Sequence, residues 1–185
     1  MVATQICLLR GVNVGGKNRL AMRELAALFE SLGYAEVTTY IQSGNVLFSS
    51  QRRVSPTFLE ERIRDRFALS VTVVVRSATQ MAEVIAADPF ADRERDHVHV
   101  AFLATSPARS LIDALDPEPF EPERFVVSGT EVYLCLPNGM ARTKLPSYLE
   151  RRLKQGLTIR NWNTVTKLAE LATEPLRTPT RPPRS

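Results

Sequence analysis

The chain has 185 residues, 44% of them hydrophobic and 24% charged, with two cysteines and a formal charge of +4. Such a composition excludes a disordered chain and suffices for one core or two small joined ones. No apolar run approaches the roughly 20 residues of a membrane span, and Met1-Val2-Ala3-Thr4 leads into strand-like sequence without a signal peptide, so the expected place is the cytoplasm, with no membrane partner.

The charge is regional. Residues 1–137 hold fourteen Lys/Arg against seventeen Asp/Glu, whereas residues 138–185 hold ten against three. The basic C-terminal third suits a phosphate-rich partner and equally a solvated surface. Cys7 and Cys135 lie inside apolar runs and read as small buried side chains in a reducing compartment, with a disulfide as the alternative.

In chain order, Thr4 to Leu9 is a strand whose Ile6-Cys7-Leu8-Leu9 has no polar face, as in a strand covered on both sides. A glycine-broken loop follows, Gly11-Val12-Asn13-Val14-Gly15-Gly16-Lys17-Asn18. Leu25, Leu28, Phe29 and Leu32 then fall at helical spacing, with Gly33 as the stop. Val37 to Ile41 and Asn45 to Phe48 form a hairpin around Gln42-Ser43-Gly44. Ser55-Pro56 opens a second helix with Leu59, Ile63 and Phe67 inward, and Val71 to Val75 is the next strand. Lying at a sheet edge with two apolar faces, that strand requires cover from the second half or from another copy of the chain.

Ser77-Ala78-Thr79-Gln80 is a capping box for a connecting helix with Met81, Val84 and Ile85 inward. The order then repeats: a strand from Val98 to Ala104, a helix capped by Ser106-Pro107 with Leu111, Ile112 and Leu115, and strands at Arg124 to Val127 and Glu131 to Leu136. A helix with Leu145, Leu149 and Leu153, a short strand from Leu157 to Ile159, and a last helix with Val165, Leu168 and Ala172 complete it. Strand, helix, strand, strand, helix, strand is the split βαβ order of ferredoxin-like domains. The expected class is therefore α+β, two tandem ferredoxin-like units with antiparallel sheets: residues 1–76, a connecting helix and charged loop over 77–96, and a second unit with its terminal helix over 97–176. Residues 177–185, rich in Pro and Arg, are expected to be a disordered tail.

Gly11 to Lys17 fits the spacing G-x-x-x-x-G-K of a phosphate-binding loop between a strand and a helix, but Asn18 stands where the Mg²⁺-binding hydroxyl is required. What survives is an anion cradle of backbone N–H groups with Arg10, Asn13, Gly15, Gly16, Lys17 and Asn18, or a tight turn in which the asparagines bond nearby backbone. Gln42 and Asn45 at the hairpin tip either bond a ligand or satisfy the hairpin itself. Thr158-Ile159-Arg160-Asn161-Trp162-Asn163-Thr164 offers a guanidinium fork and a stacking ring; equally, Asn161 or Asn163 caps the last helix and Trp162 fills the gap between the halves. Lys144 adds a positive charge. His97 and His99 share one side of a strand but lack a third ligand, so no metal site is assigned, and no Ser/His/Asp or Cys/His arrangement is visible. Catalytic residues and cofactor remain unassigned.

Three segments, Leu8-Leu9-Arg10-Gly11-Val12-Asn13-Val14-Gly15-Gly16, Thr39-Tyr40-Ile41-Gln42-Ser43-Gly44-Asn45-Val46 and Thr158 to Val165, together resemble a bacterial family known as domain of unknown function 1697, over residues 3 to 172. The resemblance implies two ferredoxin-like units and no established reaction, cofactor or catalytic residue. The leading expectation is a site for a small anionic ligand, bearing a phosphate, nucleotide or carboxylate, at Arg10, Asn13, Gly15, Gly16, Lys17, Asn18, Gln42, Asn45, Lys144, Arg160, Asn161 and Trp162. The alternatives are a nucleic-acid-binding protein and a structural or assembly module that forms a homo-oligomer.

Overall fold

A computed structural model describes residues 3–16 and 18–173. The first half runs β1 (Ala3–Leu9), α1 (Met22–Ser31), β2 (Ala35–Tyr40), β3 (Asn45–Ser50), α2 (Pro56–Phe67), β4 (Val73–Ser77) and α3 (Ala78–Ala86). The second runs β5 (Val98–Phe102), α4 (Arg109–Asp113), β6 (Arg124–Ser128), β7 (Glu131–Cys135), α5 (Leu145–Leu153), β8 (Thr158–Asn161) and α6 (Trp162–Thr173). Each half contributes a four-stranded sheet, ordered β2-β3-β1-β4 and β6-β7-β5-β8, with antiparallel pairing throughout. The architecture is mixed α+β.

Local chemistry accounts for the boundaries. Ser55 accepts a hydrogen bond from the Phe58 N–H and Pro56 takes the first turn of α2, where its missing N–H costs nothing. Ser77 and Gln80 close the expected capping box at α3. The helix expected after Ser106-Pro107 is shorter than its sequence suggests: α4 begins at Arg109 without a side-chain cap and lasts five residues. Strand β4 extends past Val75 to take in Arg76 and Ser77.

Three apolar clusters hold the layers together. Leu25 and Phe29 of α1 and Leu59 and Ile63 of α2 pack on Cys7, Leu9, Val46, Phe48 and Val73, covering the outer face of the first sheet. Leu145, Leu149 and Leu153 of α5 cover Ala101, Val132 and Leu134 of the second. The inner faces of both sheets share the remaining core with α3 and α6: Ile6, Leu8, Leu47 and Val74 from one side, Val98, Val100, Phe102 and Tyr133 from the other. Strand β4 does lie at a sheet edge, and its apolar faces are covered from within the chain, Val73 in the outer cluster and Val74 in the shared one. No helix among the described residues is long and apolar enough to cross a membrane.

Candidate functional site

The glycine loop after β1 is shaped by its asparagines. Asn13 (φ 56°) and Asn18 (φ 50°) adopt the left-handed conformation that asparagine tolerates better than most residues. The Asn13 amide donates to the Leu20 and Gln42 carbonyls, both at 2.8 Å, and its oxygen accepts the Leu20 N–H. Asn18 donates to the Gly11 carbonyl at 3.0 Å, while its own carbonyl accepts the Asn13 N–H. Both amides therefore close the loop and tie it to the β2–β3 hairpin. Gly15 and Gly16 are exposed at φ +58° and +74°. Gly16, Asn13 and Gln42 line a shallow hollow of about 450 Å³ with Arg19, Leu20 and Ala21. Lys17 lies outside the described residues, as does the expected tail.

A second cavity, of about 510 Å³, opens where the two halves meet. One wall comes from Arg10 to Val14 with Ile41 and Ser43 of the hairpin tip, the other from Met140, α5 and the β8–α6 junction. Arg10 Nη2 donates to Glu150 Oε1 at 2.6 Å, joining the walls through an ion pair open to solvent. Glu150 is also held by the Leu157 N–H at 3.0 Å. The Arg10 guanidinium rests against Gly156, where a Cβ would stand 3.1 Å from Nη1. The cleft thus brings together Arg10, Arg160 and Asn161 of the expected residues.

Arg160 is 8% exposed and largely committed. Its Nε donates to Asn45 Oδ1 at 2.6 Å, Nη1 to the Ile159 carbonyl at 2.8 Å, and Nη2 to the Leu9 and Ser43 carbonyls at 2.9 and 3.0 Å. Asn45 spends its amide on the Tyr40 carbonyl and Ser43 Oγ. These bonds tie Asn45 and Arg160 to each other and to the hairpin main chain, and so lock β8 onto the first hairpin. Asn161 caps α6, its oxygen accepting the Thr164 N–H at 2.8 Å. Trp162 is no stacking face for a ligand, since its ring is buried in the core shared by both sheets with the Arg95 guanidinium 5.0 Å above it. Lys144 is exposed just before α5 and does not line the cleft.

Arg76 in β4 makes the mirror-image set of bonds in the other direction. Its Nε donates to Glu131 Oε1 at 2.8 Å, Nη1 to the Val75 carbonyl at 3.0 Å, and Nη2 to the Leu103 and Thr130 carbonyls at 2.8 and 3.2 Å. Arg76 lies opposite Ile6 in β1, and Arg160 opposite Val100 in β5. Each half thus sends an arginine from its last strand into the other half's hairpin. The sequence carried a signal for this pair, an arginine at the end of an apolar strand directly before a helix cap, as Arg76-Ser77 and Arg160-Asn161. Ending β4 at Val75 hid it. Glu131, Glu150 and Gly156 carried no comparable signal, because their roles depend on distant partners.

Among the described residues no group of three or more His, Cys, Asp or Glu is placed to hold a metal ion. Fold and site together define a two-sheet α+β chain with a mixed polar and apolar cleft at the junction of its halves. The chain belongs to the family described as protein of unknown function (DUF1697), which residues 2–133 match. That match ends before the segment Thr158 to Val165. The chain is also similar to the solved structure titled conserved bacterial protein SP0830 from Streptococcus pneumoniae, at 24% identity, over 94% of this chain and 100% of that one, with a TM-score of 0.69. At that identity the likeness speaks for the fold alone. A comparison with curated proteins found no match.

Proposed function

We propose that the chain binds a small ligand carrying a negatively charged group in the cleft between its halves, with Arg10 as the cation that exchanges Glu150 for the ligand. The observation supporting this is the Arg10–Glu150 pair itself. It spans the cleft at 2.6 Å with both side chains partly open to water, and a pair of that kind contributes only about 0–1 kcal/mol. A ligand anion therefore replaces Glu150 at small cost, and the guanidinium fork donates two parallel hydrogen bonds to it. Glu150 keeps its Leu157 partner when Arg10 turns away. Gly156 leaves the room in which the guanidinium lies.

The finer architecture accompanying this reading is a pair of ferredoxin-like units over 1–76 and 97–176 in a cytoplasmic protein, with the loop at Gly15 and Gly16 and the Gln42 side chain forming the outer approach. Binding to nucleic acid through the sheets gains no support, because β3 and β5 are buried along their whole length and RNA-binding sheets need an open aromatic face.

Thermal unfolding with phosphate, AMP and phenylacetate tests the proposal. A ligand at a hundred times its Kd adds about 2.7 kcal/mol, or roughly 5–10 °C in a chain of this size. At least one probe is expected to produce such a shift and Arg10→Gln to remove it. A response to none of them, or one that survives Arg10→Gln, overturns the proposal.

A further inference from the structure

The two reciprocal arginines differ in one respect that bears on the ligand. At Arg76 the group bonded to Nε is a carboxylate, Glu131, so the buried cation has its counter-charge. At Arg160 the corresponding group is the neutral amide of Asn45, and the remaining acceptors are backbone carbonyls. A buried ion without an opposite charge is costly even when its hydrogen bonds are made. Burial lowers the Arg160 pKa to about 10. Arg160 lines the cleft beside Arg10, whereas the cavity of about 350 Å³ that Arg76 lines already contains the Glu131 carboxylate.

The charges around that cleft set the valence of what fits. Among the described residues its ionisable lining side chains are Arg10, Glu150 and Arg160; the first two cancel, so these residues leave one positive charge. A monoanion balances it, whereas a phosphate dianion leaves a negative charge in excess. The rim is apolar: Val14, Ile41 and Met140 are 63%, 49% and 38% exposed and all three line this cavity. Ile41 holds φ 49°, a conformation that is costly for a β-branched side chain. Residues held in this conformation cluster at binding sites and switch regions.

Resting on the cleft reading above, we infer that the ligand is a small monocarboxylate with an apolar body: its carboxylate, held on the Arg10 fork, brings into the cleft that Arg160 lines the negative charge that Glu131 supplies at Arg76, and its body sits on Val14, Ile41 and Met140. A cavity of about 510 Å³ is within the range of small-molecule sites.

Calorimetric titration of the full chain with phenylacetate, phenylacetamide, phenyl phosphate and AMP tests this. Phenylacetate is expected to bind, with the other three at least about tenfold weaker, a difference of about 1.4 kcal/mol. Asn45→Asp, which gives Arg160 a carboxylate of its own, and Met140→Glu, which places a negative charge on the exposed rim, should each weaken phenylacetate by at least about tenfold. Met140→Glu should do so without moving the melting midpoint, which separates lost binding from lost folding. Equal binding of acid and amide, or unchanged phenylacetate affinity in both variants, overturns the inference. Tighter binding of phenyl phosphate or AMP that Arg10→Gln abolishes overturns the carboxylate class and leaves the cleft reading standing; silence from every probe overturns both.

Discussion

Replacing Glu131 by glutamine keeps the shape of the side chain and removes its charge from beside Arg76. The pair is 2.8 Å apart with both side chains largely buried, so at an effective dielectric near 20 the attraction is about 6 kcal/mol before desolvation. Removing one partner of such a pair typically costs about 3–5 kcal/mol because the other charge stays buried. Glutamine retains an acceptor for Arg76 Nε and the Thr130 hydroxyl, which returns about 1 kcal/mol. The expected loss is therefore about 2–4 kcal/mol, a large part of the 5–15 kcal/mol that stabilises a typical domain. Urea unfolding at neutral pH measures it. Asn45→Asp is the paired perturbation: it adds a carboxylate beside Arg160 but removes the amide that donates to the Tyr40 carbonyl and Ser43 Oγ, so the attraction gained offsets the donors lost and the net loss should stay below that of Glu131→Gln. A loss below about 0.5 kcal/mol for Glu131→Gln, or an equal loss in both variants, refutes the assignment of Arg76 as charge-paired and Arg160 as unpaired.

Gly44→Ala forces a Cβ to within 2.8 Å of Leu9 Cβ at φ +73°, so about 2–4 kcal/mol should be lost in urea unfolding. Gly129→Ala, at φ +60° with open space around it, should lose only about 1–2 kcal/mol. Asn161→Ala removes the α6 cap and should lower stability by about 1 kcal/mol, with Asn161→Asp recovering most of it. Burial holds His99 below its usual 6.5, against an opposing pull from the His97 carbonyl. The unfolded chain then takes up a proton that the fold refuses, so the His99 contribution is complete above pH 6.5 and is lost as the pH falls through the lowered value. Urea midpoints from pH 7.5 to 5 should fall less in His99→Gln than in the parent, and parallel profiles would contradict the assignment.

Much of the fold was legible because its signals are local. The capping box at Ser77 and Gln80, the Ser55-Pro56 start of α2 and the four-residue spacing of Leu145, Leu149 and Leu153 each act within a turn or two of helix, and each appears where the sequence places it. The failures are equally physical. Ser106-Pro107 resembles a cap, but the helix begins two residues later and stays short. Arg160 was legible as a chemically capable group, yet its partners Asn45 and Leu9 lie 115 and 151 residues away in the chain, a separation no local pattern encodes. Asn13, Asn45 and Asn161 were read both as ligand groups and as backbone partners; the folded chain spends each of them on backbone or on Arg160. The cleft itself depends on Glu150 and Gly156, whose importance exists only once the two halves meet.

The crossed arginines also govern how the molecule moves. Each guanidinium is rooted in one half and fastened to main-chain oxygens of the other, so neither half can swing away without stranding a buried cation. The junction is built as a dowelled joint and not as a hinge: swinging the halves apart would cost every one of these bonds at once.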